Sequence, residues 1–591
     1  MSTLDPHSHF DDRQPRTRSL TLKLSLDFER RVVDGTAVLH LDGAGTGPLD
    51  LDTKGLTILS VRDAAGAPVE HELGEEDAVL GRRLRLHLAQ PTGEVTIDYR
   101  TSPEAIALQW LSPQQTEGGR QPFLFSQCQA IHARTMVPLQ DTPRARVSYR
   151  AEVTLPEPLV AVMSAGPAGV RPGPVPGTRT FLFEMPQPIP PYLLALAAGA
   201  LESRDLSPRS RVWAEAATVE KAAWEFAGIE EMIATAERLF GPYEWERFDM
   251  LVLPPSFPYG GMENPRMTFL TPTLLAGDRS LVGVVAHELA HSWTGNIVTN
   301  ANADHFWLNE GATTWAERRI VEALWGVEAA ALSWAIGQRG MEIDLGRLPP
   351  ELTRLRFDLR GVDPDDAYSR VPYEKGSRLW ALIERTVGRE RFDRFVRDYI
   401  ARFRFTSITS DEFLAFLDEA LPGARAGTRA DAWIEEPGLP DNAPAFASRS
   451  LETFTSLAGS WTEGVRPSPQ EAAGWKPEEL LIYLQHLPRE LDADSCEWLD
   501  RNLALSARGN HELLVEWLTI AAGSDYQPTF ARLEEVLTRV GRMKYLRPLY
   551  TALGKHPRTR ALAREIFAKA GPGYHAVARR MVETILEKYA A

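Results

Sequence analysis

The sequence predicts a multidomain protein of the α+β class, with a β-rich N-terminal region, an α-rich centre and a helical C-terminal region. A chain of 591 residues is too long for one hydrophobic core, so two to four domains are expected. Apolar residues alternate with period two over roughly the first 200 residues and then recur with the helical period of about 3.6. The proline-rich segment 436–444 is the best linker candidate. We therefore place the domains at 1–204, 205–440 and 441–591.

The N-terminal region has the alternating pattern of half-buried strands. Apolar residues occupy every second position in four runs, at 20–28, 84–88, 95–99 and 147–155. Turns rich in Gly, Asp and Pro separate these runs. They predict an antiparallel β domain that ends near Gly199. The polar residues 1 to about 16 precede the first strand, and we expect them to be loosely held.

Helical periodicity begins near Thr218. The first predicted helix runs over 218–240 and is stopped by Gly241-Pro242, and a short strand near 248–253 follows it. Further helices are predicted in the centre and beyond the linker, over 373–385, 393–405, 477–486, 512–521, 528–540, 558–570 and 574–589. The short loops between the C-terminal helices indicate stacked helix pairs, as in an α-solenoid or a bundle.

The motif HELAH, at 287–291, predicts a metal centre. Residues four apart on an α-helix share one face, so the imidazoles of His287 and His291 converge on one point. Glu310 follows after eighteen intervening residues and supplies a carboxylate. Two neutral imidazole nitrogens and a carboxylate oxygen suit tetrahedral zinc and leave one position open. Glu288 follows the first histidine directly, so its side chain points toward the metal without binding it. This is the position of a base that activates the metal-bound water.

A chance occurrence of this motif is the alternative to a zinc site. Two histidines and a glutamate on a mostly apolar helix would be costly to bury without a partner, which favours one bound zinc ion per chain. Asp278 is a candidate cap for the start of this helix, and Gly295-Asn296 is a candidate for its end. A second helix opens near Asn309. It carries Glu317 two turns beyond Glu310, so we expect Glu317 to contact a ligand imidazole.

A second motif, YGGMENP, precedes the metal motif by some two dozen residues. Gly260 and Gly261 allow close backbone approach, so a substrate peptide could lie along the run from Tyr259 to Met262 as an added strand. Glu263 would then stand at the end of that strand. A carboxylate there could hold a free α-ammonium group, which restricts cleavage to the first peptide bond. The alternative is a Gly-Gly turn with a solvated glutamate.

HELAH, the downstream glutamate and GGMEN together make the sequence resemble the gluzincin aminopeptidases of the M1 type. Longer blocks are similar to the leukotriene A4 hydrolase branch of that family, namely FSQCQAIHARTMVPLQDTPR (125–144), HFWLNEGATTWAERRI (305–320), DPDDAYSRVPYEKG (363–376) and GRMKYLRPLY (541–550). These blocks fall in all three regions, so the resemblance covers essentially the whole chain. It implies a saddle-like β domain, a thermolysin-like catalytic domain, a helical C-terminal domain and a zinc cofactor.

The resemblance also implies the chemistry of individual residues. His287, His291 and Glu310 correspond to zinc ligands, and Glu288 corresponds to the general base. Tyr373 is similar to the family tyrosine that hydrogen-bonds the tetrahedral oxyanion. Without the resemblance, a core tyrosine beside a proline is the plainer interpretation of that position.

Two groups of substrate-binding residues follow from the same resemblance. Glu263 and Gln129, with Gln127 beside them, match the residues that grip the substrate amine. Arg542 and Lys544 match the basic pair that receives the C-terminal carboxylate of a short peptide. From the residues alone, this pair could equally be a solvated helix end.

Asp365 and Tyr368 match residues that the family uses in epoxide opening. The sequence departs from the family pattern nearby, because Asp366 stands where the animal enzyme carries an apolar residue. Phe357 also narrows a position associated with the side-chain pocket. Both changes weaken the case for activity on a lipid epoxide, since such a tunnel must accept a long apolar tail.

Composition excludes several kinds of partner. The net charge of −15, from 65 basic and 80 acidic residues, argues against nucleic acids and anionic membranes. The N-terminus lacks the basic and apolar segments of a signal peptide, and no eighteen-residue apolar run occurs. The two cysteines, Cys128 and Cys496, are distant and indicate no disulfide framework, and we expect Cys128 to be a buried spacer. We predict a cytoplasmic monomer.

The sequence therefore predicts a zinc aminopeptidase that removes N-terminal residues from short peptides, tripeptides above all. Two other functions stay open. One is an epoxide hydrolase acting on a lipid epoxide, alone or beside peptidase activity, and the Asp365–Tyr368 pair with the shape of its pocket would decide it. The other is a non-catalytic scaffold built on an inactive enzyme fold, which a metal assay would distinguish.

Overall fold

The N-terminal region of the computed structural model, which describes residues 5–589, consists of two β-sheets. Their strands in chain order are β1 (Thr17–Asp27), β2 (Val32–Thr53), β3 (Thr57–Asp63), β4 (Glu70–Leu73), β5 (Arg82–Arg100), β6 (Leu108–Leu111), β7 (Phe123–Ser126), β8 (Val147–Pro156), β9 (Val160–Met163), β10 (Gly166–Pro172), β11 (Thr178–Ile189) and β12 (Leu196–Gly199). The larger sheet has the order β10-β11-β8-β1-β2-β5-β3, with β4 paired to β5. The smaller sheet has the order β6-β7-β12-β9.

Strand pairing in these sheets follows the predicted alternation, with one departure. In β1, Leu20, Leu22, Leu24 and Leu26 are all buried, as period two requires. Pairing is antiparallel except between β1 and β8, which run parallel. Parallel neighbours need a long crossover, and here the chain from β2 to β7 provides it. The runs predicted at 84–88 and 95–99 form one strand, because the Pro and Gly between them lie at a register shift against β2 rather than in a turn.

The N-terminal segment 5–10 is held firmly, contrary to the prediction that it is loose. Arg134 donates a hydrogen bond of 2.6 Å to the His7 carbonyl, and Ser8 donates one of 2.5 Å to Asp52. His7 Nε2 in turn lies 3.0 Å from the Leu359 carbonyl. The segment is buried because it satisfies charged groups of the β domain and ties them to the loop that precedes Asp365.

The central region combines a five-stranded sheet and a two-stranded sheet with ten α-helices of the described chain. Its elements are β13 (Leu201–Ser207), β14 (Ser210–Glu215), α1 (Ala216–Glu225), α2 (Ile229–Phe240), β15 (Met250–Val252), β16 (Gly261–Met262), β17 (Thr268–Leu270), α3 (Gly283–Ala290), β18 (Val298–Asn300), α4 (Trp307–Trp325), α5 (Val327–Arg347), α6 (Val371–Val387), α7 (Arg389–Arg402), β19 (Thr406–Ile408), α8 (Ser410–Ala420), α9 (Ala424–Thr428) and α10 (Ala430–Glu435). The five-stranded sheet has the order β13-β14-β15-β17-β16, and β18 pairs with β19 in the two-stranded sheet. The proposed domain limit at 204/205 lies within β13, and both limits, at 204/205 and 440/441, stay predictions.

Three local predictions in this region are wrong. The helix predicted over 218–240 is two helices, α1 and α2, because the chain leaves the helical path before Gly228. Asp278 does not cap the metal-motif helix, since α3 begins only at Gly283 and Asp278 accepts a hydrogen bond in a preceding turn. That helix also ends at Ala290, before Gly295-Asn296. His291 nevertheless keeps helical angles (φ −54°, ψ −24°), so the spacing of four residues retains its geometry.

A close crossing of helices α4 and α6 brings Glu310 and Tyr373 to the same side of the molecule. α4 and α6 pack against each other at Gly311 and Gly376. A Cβ atom on Gly311 would lie 2.7 Å from the Gly376 Cα atom, closer than such atoms approach. The absence of side chains at this crossing therefore lets Glu310 on α4 and Tyr373 on α6 face one space.

The C-terminal region is helical and has its own apolar core. Its helices are α11 (Arg449–Gly459), α12 (Pro469–Ala473), α13 (Pro477–His486), α14 (Ala493–Leu503), α15 (His511–Gly523), α16 (Phe530–Arg539), α17 (Met543–Lys555), α18 (Arg560–Ala570) and α19 (Ala576–Lys588). Contacts run along the odd-numbered helices α11, α13, α15, α17 and α19, which is the predicted stacking of helix pairs. Within residues 5–589, every helix is too short or too polar to span a bilayer.

Candidate metal centre and active site

Three side chains converge where α3 and α4 pack together. The Nε2 atoms of His287 and His291 lie 3.1 Å apart, and Glu310 Oε2 lies 3.3 Å from the first and 3.5 Å from the second. Zinc bonds of about 2.0–2.1 Å at tetrahedral angles separate neighbouring ligand atoms by about 3.3 Å. The residues present therefore fit a tetrahedral zinc ion with one further position open.

The far sides of both imidazoles face hydrogen-bond acceptors. His287 Nδ1 lies 3.0 Å from Glu317 Oε2, which is the contact expected from the sequence. His291 Nδ1 lies 3.1 Å from the Thr294 carbonyl and 3.1 Å from Asn309 Oδ1. An acceptor at Nδ1 holds the ring proton there and leaves Nε2 free for the metal. Both rings are thus oriented for ligation by the protein itself.

The glutamates of the site differ in their protonation. Burial by itself raises the pKa of Glu310, but His291 and His287 outweigh it and hold that pKa at about 2. Burial raises the pKa of Glu288 to about 7, although the same histidines act in the opposite direction. In the metal-free protein, burial and the two histidines therefore shift these two pKa values in opposite directions.

The edge strand β16 runs beside this group. It pairs with β17 on one side only, so its other edge can accept an added strand. A Cβ atom on Gly261 would lie 2.3 Å from Glu288 Oε1, so glycine is required for the strand to pass this close to the carboxylate. The predicted peptide-binding run from Tyr259 to Met262 therefore borders the candidate base.

Glu263 follows this strand and is buried. Its carboxylate accepts hydrogen bonds from Gln129 Nε2 at 3.2 Å and from Asn309 Nδ2 at 3.4 Å. Acceptor atoms of Glu263, Glu288 and His291 all lie within 4.8 Å of one another. The end of the strand is thus a short distance from the metal position, as the sequence motif requires.

Gln127 approaches the same strand from the β domain. Its Nε2 atom lies 3.2 Å from Met262 Sδ, and its buried Oε1 atom has no hydrogen-bond partner among residues 5–589. Between the two glutamines, Cys128 is buried and free, and burial raises the pKa of its thiol. Gln127 and Gln129 therefore project into the site while Cys128 packs inside, which supports its interpretation as a spacer.

Three tyrosines line the space beyond His287. The Tyr373 ring stacks near His287, with 6.0 Å between ring centroids. Tyr368 packs edge-on against Tyr373 at 6.2 Å and against Tyr259 at 5.7 Å. Burial raises the pKa of Tyr373 well above its ordinary value, and Glu310 adds to this effect. The Tyr373 hydroxyl therefore stays protonated and can donate a hydrogen bond.

Asp365 is fixed by a partner that the sequence did not reveal. His132 Nε2 lies 2.8 Å from Asp365 Oδ2, and both side chains are buried. The neighbouring Asp366 points outward, where its carboxylate pairs with Arg580 at 3.0 Å. Phe357 is buried in a small apolar cluster on the same loop. The extra acid at position 366 therefore places its charge at the surface rather than against Asp365.

The C-terminal domain reaches the site through the start of α17. Two backbone hydrogen bonds of 2.8 Å tie residues 541 and 543 to the carbonyls of residues 255 and 258. Arg542 Nη2 lies 2.7 Å from where a Cβ atom on Gly260 would stand. Arg542 therefore borders the same peptide-binding run as Glu263, which its distance in sequence does not indicate.

The Arg542 guanidinium is held on one edge only. Its Nη1 atom donates to Tyr545 Oη at 2.7 Å and to Thr273 Oγ1 at 3.2 Å. Its buried Nε atom has no hydrogen-bond partner among the described residues, and Nη2 faces Gly260. The Nε–Nη2 edge is the one that binds carboxylates in a two-point fashion.

Glu512 lies between the two cations, a position that its sequence context does not indicate. Lys544 Nζ donates to Glu512 Oε1 at 2.7 Å, and Arg542 Nη1 lies 3.5 Å from the same oxygen. Burial alone raises the pKa of Glu512, but Lys544 and Arg542 hold it at about 2. No local signal identifies this residue, since a glutamate in the first turn of a helix is common.

A HExxH–Glu group held between a β-rich domain and a helical domain defines the chain as a zinc metallopeptidase. Residues 8–193 match the Peptidase M1 N-terminal domain, residues 224–431 match the Peptidase family M1 domain, and residues 475–586 match the C-terminal domain of leukotriene A4 hydrolase. The chain therefore belongs to the M1 peptidase family.

Relatives that match this chain over its full length identify the kind of peptidase activity. The chain is 38% identical to leucine aminopeptidase 2 of Yarrowia lipolytica, over 99% of this chain and 93% of that protein. It is 35% identical to leucine aminopeptidase 2 of Sclerotinia sclerotiorum, over 99% and 100%. The structure of yeast LTA4 hydrolase in complex with bestatin has a TM-score of 0.91 and 32% identity, covering 99% of this chain and 97% of that chain. The protein is thus a zinc aminopeptidase with the three-domain architecture of LTA4 hydrolase.

Proposed function

We propose that His287, His291 and Glu310 hold the zinc ion and that Glu288 and Tyr373 carry out peptide hydrolysis beside it. The observation that carries this proposal is the triangle of ligand atoms, 3.1–3.5 Å on a side, with Glu288 against the edge strand. Zinc bound there supplies Lewis-acid chemistry, since it polarises a carbonyl group and lowers the pKa of water.

Glu288 takes a proton from the attacking water and later passes it to the leaving amine. Glu288 lies against Gly261 of the edge strand, and its carboxylate is within 4.8 Å of a ligand atom of His291, so it can act at the scissile bond first as base and then as acid. Tyr373 donates a hydrogen bond to the carbonyl oxygen as that oxygen gains negative charge. Both side chains stand on helices that pack against α4, so their positions are set before the substrate arrives.

Glu263 and Gln129 hold the free α-ammonium group of the peptide, with Gln127 beside them. The support is that Glu263 is buried, is oriented by Gln129 and Asn309, and stands at the end of β16. A peptide laid along the free edge of that strand would place its first peptide bond near the metal position. This arrangement selects the N-terminal residue for removal.

Arg542 and Lys544 receive the C-terminal carboxylate of short peptides, so tripeptides are the favoured substrates. The support is the unpartnered Nε–Nη2 edge of Arg542, which faces Gly260 at the other end of the peptide-binding run. Two or three extended residues span about 7–10 Å, which suits a cleft with an acid at one end and cations at the other.

Replacing Arg542 with alanine tests the carboxylate site. We expect kcat/KM for free tripeptides to fall about 10- to 100-fold, chiefly through KM, because a charge-assisted two-point contact is lost. Hydrolysis of aminoacyl-arylamides, which carry no carboxylate, should change far less. Lys544→Ala should have the smaller effect on tripeptides, since an ammonium offers a point charge rather than a planar fork.

The matched control is Arg539→Ala. Arg539 lies three residues earlier, at the end of α16, and its side chain is 75% exposed. This variant removes the same charge and should leave both substrates at wild-type rates. Equal losses of tripeptide and arylamide hydrolysis in Arg542→Ala would show that Arg542 is structural, and the preference for tripeptides would then have no basis.

Epoxide opening is the second candidate function. It is favoured by the likeness to LTA4 hydrolase and by the position of Asp365 and Tyr368 beside the tyrosines of the site. His132 ties up one oxygen of Asp365, and Asp366 is turned to the surface. Neither contact involves the candidate zinc ligands, Glu288 or Tyr373, which are the residues that peptide hydrolysis needs. We therefore place aminopeptidase activity first.

We further propose that the enzyme acts as a cytoplasmic monomer. Both cysteines are free and buried, as is usual for proteins of reducing compartments. The net charge of −15 favours a separate, well-solvated chain. Sedimentation of the purified protein would measure its mass directly, and a stable dimer would contradict this proposal.

A further inference from the structure

Glu512 is the third charged residue of the proposed carboxylate site. Its Oε1 atom accepts hydrogen bonds from Lys544 Nζ at 2.7 Å and from Tyr545 Oη at 2.9 Å, and lies 3.5 Å from Arg542 Nη1. Three donors from the start of α17 therefore converge on one oxygen. The side chain is 15% exposed, so these contacts are largely shielded from water.

We propose that Glu512 is a specificity-determining residue that sets the net charge of this site at a single positive charge. The inference rests on the proposed role of Arg542 and Lys544 as the carboxylate site. Counted over the three residues that meet at Glu512 Oε1, two cations and one acid leave a charge of one, which matches the single negative charge of a peptide's main-chain carboxylate. Arg370 also acts on Lys544 and adds the same charge to every variant compared below. Two uncompensated cations would bind anions more tightly and would favour peptides that carry a second carboxylate.

The contacts of Arg542 distinguish this role from simple support. Tyr545 Oη and Thr273 Oγ1 hold the Arg542 guanidinium at 2.7 Å and 3.2 Å, and the group lies over the Tyr545 ring at 4.7 Å. The Glu512 oxygen is farther from the guanidinium, at 3.5 Å, and a glutamine at this position keeps an oxygen that can accept the Tyr545 hydrogen bond. Removing the charge of Glu512 should therefore change the field at the carboxylate site while leaving its geometry in place.

The same contacts identify the substrates that the site discriminates against. A peptide whose last residue is Asp or Glu brings two carboxylates to one place, and only one of them is balanced by the net charge of the site. Glu512 contacts both cations of the site, so its negative charge also opposes the binding of a second carboxylate. The favoured class is therefore the short peptide with a neutral C-terminal side chain.

A double-mutant cycle tests the inference. The wild type, Glu512→Gln, Lys544→Gln and the double variant have site charges of about one, two, zero and one, counted from Arg542, Lys544 and Glu512. The substrates are a free tripeptide ending in Ala, the same peptide ending in Asp, and the C-terminal amide. Each KM is divided by the KM for an aminoacyl-arylamide on the same variant, so that damage common to all substrates cancels.

We expect the relative KM of the free peptide to fall about 3- to 10-fold in Glu512→Gln, the effect of one charge at partly shielded range. Lys544→Gln should raise it by a similar factor, and the double variant should return it to within about twofold of wild type. The gain in Glu512→Gln should be larger for the peptide ending in Asp. A gain of affinity is informative because structural damage would act in the opposite direction.

The matched control is Glu516→Gln, one turn further along α15, where Glu516 pairs with Arg489 at 2.6 Å. It removes the same charge outside the site and should leave the relative KM unchanged. Glu512→Met makes the same charge change with an apolar side chain of similar length, and it replaces Glu512→Gln in the cycle if that variant does not fold.

Two results would overturn different statements. If Glu512→Gln raises the relative KM and the double variant equals Lys544→Gln, Glu512 only orients Lys544, and the inference about charge is wrong. If the wild type binds the free peptide and its amide alike, and Lys544→Gln has no effect, the carboxylate site itself is wrong. The second outcome contradicts the proposed function, whereas the first leaves it intact.

Discussion

Replacing Glu288 with glutamine is expected to reduce kcat by about 10²–10⁴-fold while zinc stays bound. The amide keeps the shape of the side chain and its place against Gly261, but it cannot accept the proton of the attacking water. The triangle of ligand atoms, 3.1–3.5 Å on a side, is formed by His287, His291 and Glu310 without Glu288, so the substitution should not release the metal. The measurement is kcat on a free tripeptide together with zinc content by elemental analysis.

Glu390→Gln is the control for this variant, since the Glu390 side chain is 91% exposed on α7. It should retain wild-type turnover and wild-type zinc. Near-normal turnover in Glu288→Gln would show that another group accepts the proton. Loss of zinc from that variant would mean that Glu288 contributes to the ligand set, and the assignment of His287, His291 and Glu310 would need revision.

Tyr373→Phe is expected to lower kcat by about 10²–10³-fold, the usual effect of removing one oxyanion donor. KM should change little, because the hydroxyl is proposed to act mainly as negative charge develops on the carbonyl oxygen. Steady-state kinetics on a tripeptide and on an arylamide would measure both constants. The loss should be the same for the two substrates, since Tyr373 acts at the scissile bond and not at the C-terminus.

Tyr483→Phe is the matched control, because the buried Tyr483 hydroxyl on α13 has no hydrogen-bond partner in the part of the chain that the structure describes. Its removal should leave kcat unchanged. An effect of Tyr373→Phe confined to KM would show that the hydroxyl contacts only the bound substrate. The proposed role in stabilising the oxyanion would then be wrong.

The convergence of the candidate ligands could be predicted in part from the sequence, because some of its geometry is local. A spacing of four residues fixes the relation of His287 to His291 whenever the backbone is helical, and it survives here although α3 ends just before His291. Glu310 and Glu317 share one face of α4, so one helix supplies both a candidate ligand and the acceptor for His287. Helix periodicity accounts for the relation of residues within one helix, whereas the contact of Glu310 with the two histidines also requires α3 and α4 to pack together.

Residues joined only by the tertiary fold could not be found in this way. Glu512 meets Lys544 because α15 and α17 stack, and His132 meets Asp365 because a loop of the β domain faces the catalytic domain. Nothing in the spacing of these residues predicts either pair. The crossing of α4 and α6 is similar, since neither glycine at that crossing signals its partner.

The wrong local predictions have physical causes as well. A periodic apolar pattern over 218–240 does not show the break before Gly228, because the second helix resumes nearly the same amphipathic pattern. The N-terminal segment is polar and therefore looked solvated. It is buried because Arg134 and Asp52 of the β domain need hydrogen-bond partners, and that need is visible only in the folded structure.

The proposed contact of Glu263 and Gln129 with the free α-ammonium group explains why an aminopeptidase cleaves at one defined bond. We predict that Glu263 selects the first peptide bond by holding the free α-ammonium group beside the metal centre. The most direct test compares a free tripeptide with its N-acetylated form in the wild type and in Glu263→Gln. We expect the wild type to favour the free peptide strongly, and this ratio to fall about 10- to 100-fold in the variant, because a charge-assisted hydrogen bond is lost. A ratio that stays at the wild-type value in Glu263→Gln would contradict the proposal that Glu263 holds the α-ammonium group. It would also contradict the removal of a single N-terminal residue, which depends on that contact.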